Sequence, residues 1–188
     1  MGNRRQRRIL WAVVALILAV LWAVCALRVN HAYPQAVSVQ AGMNEPLRYG
    51  PYTLTLTQAR IEDTAALYAE NGLATQGAFL PEKTLLCTVN VGRDGAAQEE
   101  PGMLYAAAVS GAWQCMADRG EMYGALDLAR PDLSEVQPGE PQTWLFLFGL
   151  YRETFSEESW ERLTEKTFTL QFSLYPEKRE ILFQPESA

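Results

Sequence analysis

The side chains best suited to chemistry in this 188-residue chain are scattered, and their spacing fits few reactions. There is one histidine, His31. Nucleophilic catalysis by serine or cysteine needs an imidazole as base. A Ser-His-Asp or Cys-His site in the C-terminal part therefore requires the segment around His31 to fold back. A zinc site with two or more histidine ligands is excluded. No CxxC, P-loop, GxGxxG or HExxH occurs.

The acidic residues offer two further chemistries. Glu99-Glu100 and Glu157-Glu158 are adjacent pairs of the kind a glycosidase uses. Their settings are a polar loop and a helix start, where acids are solvated or favoured by the helix dipole. Asp94, Glu99, Glu100, Asp118 and Glu121 could meet a calcium ion, but no D-x-D-x-D-G loop exists. Soft donors for Cu(I) come from Cys115-Met116, Met122 and Met103, without a tight Cys-x-Cys or Met/His spacing. The aromatics Trp113, Tyr123, Trp144, Trp160 and Tyr175 could line a ligand groove. Their alternating or helical spacing assigns them to a core instead. No catalytic, cofactor-binding or metal-binding residue is assigned, and the chain is read as a non-enzyme.

The address is more legible than the chemistry. Ile9 to Leu27 is an apolar run without a charge, preceded by Arg4, Arg5, Arg7 and Arg8. Nineteen helical residues span roughly 28 Å, close to the hydrocarbon thickness of a bilayer. The arginine flank keeps the N-terminus cytoplasmic and sends the rest of the chain outside. Two processing routes compete with a retained anchor: signal-peptide cleavage after Ala26, and lipidation of Cys25. The run exceeds an ordinary signal h-region, and Trp22-Ala23-Val24 lacks the small residue that lipidation wants before the cysteine.

Five of the 16 basic residues lie in residues 1–28, so the remainder carries 11 basic against 22 acidic residues, a formal charge of −11. That balance repels phosphate backbones and argues against a nucleic-acid partner. About 160 residues suit one domain with a hydrophobic core.

Period-two alternation marks the strands. Ala36 to Val39 leads in at a sheet edge. In Tyr52 to Thr57, Tyr52, Leu54 and Leu56 point inward. In Thr84 to Val91, Leu85, Cys87, Val89 and Val91 share one face. Leu104 to Val109 is strand-like. Ala112 to Ala117, the turn Asp118-Arg119-Gly120-Glu121 and Met122-Tyr123 read as a hairpin. Trp144 to Phe148 reads as a central strand covered on both faces. Phe168, Leu170, Phe172 and Leu174 alternate toward the core, and Ile181 to Phe183 forms a terminal strand. Asp63 caps one short helix. A second spans Thr154 to Leu163, capped by Thr154 with Ser156 as the alternative. Seven or eight strands with two helical insertions match an immunoglobulin-like antiparallel β-sandwich.

Four segments carry a resemblance: Tyr49 to Leu56, Leu85 to Val91, Pro138-Gly139-Glu140 with Trp144 to Phe148, and Phe172 to Lys178. Together they resemble small membrane-anchored extracytoplasmic immunoglobulin-like proteins of unknown function from Gram-positive bacteria. The likeness runs from about Leu47 to Phe183 on short motifs. The chain departs from the family in lacking a lipobox and in its long excursion between Ile61 and Leu85. The resemblance implies a fold and a location, and no catalytic residues. Cys87 and Cys115, both inward, invite comparison with the inter-sheet disulfide of antibody domains. Exported Gram-positive proteins often do without such bridges, so two buried thiols are the preferred reading, with the bridge left open.

The expected organisation is a basic cytoplasmic tail (1–8), a transmembrane helix (9–27), a stalk leading into a first strand (28–46), the sandwich (47–183) and a tail (184–188). The expected role is a non-enzymatic binding or accessory module with a protein partner at the outer membrane surface. The alternative is a small-ligand or copper carrier using a groove or the Cys/Met residues; a hydrolase comes third.

Overall fold

A computed structural model describes residues 2–32, 36–73, 80–95, 104, 106–118 and 120–187. The chain divides into two compact units, Met1–Ala36 and Val37–Ala188. The first contains helix α1, Gly2–Ala32. Its large apolar side chains from Ile9 to Val29 are exposed all round, so it has no single face to bury against a core. It is long and apolar enough to cross a membrane. Residues 28–32, expected as the start of a stalk, continue the helix.

The second unit is mainly β, two sheets packed as a sandwich. Its strands are β1 (Val37–Gly42), β2 (Leu47–Tyr49), β3 (Tyr52–Asp63), β4 (Lys83–Arg93), β5 (Ala107–Ser110), β6 (Trp113–Met116), β7 (Gln142–Leu150), β8 (Phe168–Ser173), β9 (Glu177–Phe183) and β10 (Glu186–Ser187). One sheet runs β1-β9-β8-β5-β6. The other runs β10-β3-β4-β7, with β2 also on β3. The short helices are α2 (Thr64–Glu70), α3 (Glu121–Ala125) and α4 (Glu157–Glu161). The ten strands among the described residues exceed the seven or eight expected, because β2 and β10 are too short to show a period.

The sheets are not wholly antiparallel, which corrects the expectation. β1 pairs parallel with β9, and β10 parallel with β3. Parallel neighbours need a long connection, which pairings between strands this far apart in the chain supply. Residues 186 and 187, expected as a tail, form β10.

The core lies between the sheets. Leu85, Cys87, Val89 and Val91 from β4 meet Phe168, Leu170 and Phe172 from β8, all fully buried. Phe146 and Phe172 join the sheets edge to face at 6.1 Å. A smaller cluster covers the other face of β4 and β7, where Leu86 and Leu147 pack against Leu67, Tyr68, Met122 and Tyr123 of α2 and α3.

Asp63 caps α2, its Oδ1 accepting from the Ala66 amide at 3.0 Å. Ser156 rather than Thr154 caps α4, accepting from the Ser159 amide. Thr154 instead donates to the Tyr151 carbonyl.

Three further expectations are corrected. The hairpin turn is at Gly111-Ala112, between β5 and β6. Met122 and Tyr123 belong to α3, because Asp118 Oδ2 accepts from the amides of Gly120 (2.8 Å) and Met122 (3.0 Å) and starts a helix instead of a return strand. β7 is covered on both faces, yet among the described residues its only strand neighbour is β4. Leu174 is exposed. Ser173 ends β8 by donating to the Glu177 carbonyl (2.6 Å) and accepting from the Arg179 amide (3.2 Å), so the inward alternation stops at Phe172.

Candidate functional site

Among the described residues, Asp94, Asp118, Glu157 and Glu158, four of the carboxylates with catalytic or calcium-binding potential, already have partners. Glu157 and Glu158 stand in the first turn of α4, paired with Arg152 and with Arg162 (3.8 Å), and both side chains are well exposed. Asp118 is engaged in capping α3. Asp94 faces Arg48 at 3.4 Å. Glu99, Glu100, Met103 and Arg119 lie outside the described residues. Among the described residues no three His, Cys, Asp or Glu side chains gather where a metal ion would sit. His31 belongs to α1.

The soft donors are separated. Cys115 lies against the main core, its thiol donating to the Met116 carbonyl at 3.2 Å. Met116 is exposed, whereas Met122 is in the smaller cluster. Cys87 and Cys115 are both thiols. Burial pushes the Cys87 thiol far above its ordinary value. Cys115 is raised too, by burial first, against a hydrogen bond from the Gly149 backbone. Neither is poised as a thiolate nucleophile.

Four of the five aromatics singled out in the sequence are core or core-lining: Tyr123, Trp144 and Trp160 are buried and Trp113 half-buried. Tyr175 is exposed.

The structure does form a groove of about 220 Å³ beside Trp113. The rings of Trp113 and Phe155, 5.2 Å apart, line it together with Ser110, Ser156, Ser159 and Lys166. Phe155 precedes the Ser156 cap and meets Trp160 at 5.8 Å, a hydrophobic staple at the entry to α4. A neighbouring charged depression of about 370 Å³ shares Ser159 and Lys166 and adds Glu158, Arg162 and Glu165. Sequence reasoning missed Phe155, Ser159 and Lys166. The staple spacing, Phe155 to Trp160 across a serine cap, was the available signal for the first.

Strand directions place the groove. β9 runs from Glu177, opposite Val37, to Phe183, opposite Phe168. That is about 20 Å of extended chain. β5 ends at Ser110, which donates to the Thr167 carbonyl beside the start of β8. The β5–β6 turn and the groove are therefore at the end of the sandwich opposite Val37, where β1 begins.

A second polar assembly lies on the outer face of the β1-β9-β8 sheet. Glu180 is 3% exposed and accepts from Ser38 (3.0 Å), Gln40 (2.6 Å) and Gln171 (3.3 Å), with Lys178 Nζ at 2.6 Å. Burial opposes its ionisation, but the hydrogen bonds from Lys178, Gln40 and Ser38 and the lysine charge together hold its carboxyl below the usual range. Every partner is satisfied, so the cluster ties β1 to β8 and β9.

No protein-family profile matches the chain, and no curated protein matches it at a significant level. Among solved structures it is similar to an uncharacterized β-sandwich protein from Clostridium difficile 630, with a TM-score of 0.44 and 11% identity over 79% of this chain and 96% of that one.

Proposed function

We propose that this protein is a single-pass, membrane-anchored binding or accessory module, non-enzymatic, whose immunoglobulin-like domain faces outward from a cell membrane of the Gram-positive type. In this reading α1 spans the bilayer with Arg4, Arg7 and Arg8 on the cytoplasmic side, and the sandwich is delivered outside. The observation that carries it is positional. The chain enters the domain at Val37, and the groove beside Trp113 and Phe155 lies at the opposite end. A domain tethered at one end and grooved at the other presents its groove away from the tether. The two-sheet sandwich supports the immunoglobulin-like assignment. The engaged carboxylates and raised thiols support a binding role over a catalytic one. The formal charge of −11 beyond residue 28 supports a protein partner over nucleic acid.

Photo-crosslinking in membranes tests the role. A photoreactive amino acid at Ser159, in the groove, should give a discrete protein adduct, and one at Glu140, near the other end, should not. Equal labelling from both positions, or none from Ser159, contradicts the groove as the partner surface.

A further inference from the structure

We infer that the turn bearing Leu174 and Tyr175, with Val37 beside it, is a second membrane contact that seats in the headgroup layer of the bilayer. The inference rests on the reading of α1 as a retained anchor. Leu174, Val37 and Tyr175 are 65, 64 and 55% exposed. Outside α1, the other exposed large apolar side chains among the described residues are Met116 and Leu128, at 39 and 37%.

The three residues share one end of the sandwich. The Val37 amide donates to the Pro176 carbonyl at 3.2 Å, and Val37 pairs with Glu177 as the parallel β1–β9 ladder opens. That register is the cause. Parallel pairing brings the start of β9, and the turn before it, to the end where the chain enters. An antiparallel first strand would have carried the turn to the opposite end.

The tether sets the distance. Five residue steps separate Ala32 from Val37, a reach of at most roughly 18 Å. From Leu27, where the apolar run stops, the helix rises only about 7 Å further to Ala32. If α1 spans the bilayer, covalent reach alone keeps Val37 within about 25 Å of the end of the apolar run, at a high effective concentration of lipid. The chemistry of the turn suits the headgroup layer: leucine and valine reach toward the acyl boundary, and the amphipathic phenol of tyrosine sits at headgroup level. The neighbouring charges are internally matched. Arg179 pairs with Glu177 and Lys178 with Glu180, so β9 sets no uncompensated carboxylate beside the lipid phosphates.

The test uses the full chain in vesicles of phosphatidylcholine and phosphatidylglycerol. An encoded environment-sensitive fluorescent amino acid replaces Leu174 in one preparation and Ala112, at the opposite end, in another. Flotation and resistance to alkaline carbonate establish that each preparation is anchored. The inference expects quenching by shallow spin-labelled lipid, with a blue-shifted emission, at position 174 and several-fold less at position 112. Water-like emission and equal, weak quenching at both positions in floating vesicles would overturn the inference and leave the anchor standing. Failure to float would overturn the anchor reading, and the inference with it.

Discussion

The hydroxyl of Tyr123 occupies the open side of the strand that carries Leu147. It donates to the Leu145 carbonyl at 2.6 Å and accepts from the Leu147 amide at 3.3 Å. The Asp118 amide adds a bond to the Leu147 carbonyl at 2.8 Å. Among the described residues β4 is the only strand beside β7, and an uncovered edge there would expose a template for pairing with another chain. Here α3 and its capping residue supply the missing hydrogen bonds. Tyr123→Phe should cost about 1–3 kcal/mol, the range for leaving buried polar groups unpaired. Urea denaturation of residues 37–188 measures it, and an unchanged midpoint would show that the edge does not depend on the phenol.

Alkaline stability should follow from two buried groups. Tyr123 is raised above its ordinary value by burial, against the Leu147 hydrogen bond. Cys87 is raised by burial alone. Each holds its proton when folded and releases it more readily when unfolded. Their stabilisation is whole below the unfolded pKa values, near 9.0 and 10.0, and is lost as pH climbs through the folded ones. Stability should fall above about pH 9, and Tyr123→Phe should flatten the decline above about pH 10. A wild-type profile flat from pH 8 to about 11 contradicts this.

Acid should act through Glu180. Its folded carboxyl is lowered by hydrogen bonds and by Lys178, in spite of burial. The stabilisation is present above the unfolded value of 4.5 and is lost as pH falls through the folded one. Glu180→Gln should lower stability at neutral pH and reduce the loss below about pH 4.5. Parallel acid titrations of variant and wild type would refute this.

Gly120 sits at φ +132°, and an added Cβ would fall onto the Arg130 guanidinium. The arginine can swing aside; the backbone conformation cannot be relieved so easily. Gly120→Ala should cost about 1–3 kcal/mol, read from thermal unfolding. A neutral result would mean that α3 can start from another geometry.

The inward face of β8 is testable by contrast. Phe172→Ala should cost about 3–5 kcal/mol, while Leu174→Ala should stay within about 0.5 kcal/mol. Similar losses at both positions would place Leu174 in the core.

Where alternation was unbroken, the sequence was readable. Leu85 to Val91 and Phe168 to Phe172 face inward as their spacing implies. β3 shows why reading stops. Tyr52, Leu54 and Leu56 are inward, but a bulge between Leu56 and Gln58 switches the parity, so Ala59 and Ile61 complete the face. The alternation therefore breaks at Thr57 although the strand continues to Asp63. Met122 and Tyr123 were misread for a different reason. A dipeptide carries no period, and the capping by Asp118 decided its geometry. The groove was invisible because Trp113 and Phe155 come from distant segments that only the tertiary fold brings together. The parallel pairing of Val37 with Glu177 was equally hidden, since nothing local encodes the relative direction of two strands so far apart in the chain.

Anchorage is the central claim, and protease protection of the full chain in intact protoplasts tests it most directly. With distinct tags at the two ends, added protease should remove the C-terminal tag and leave a membrane-embedded fragment that carries the N-terminal tag and α1. Recovery of a soluble domain beginning at Leu27, or a C-terminal tag that survives until the membrane is permeabilised, would contradict it.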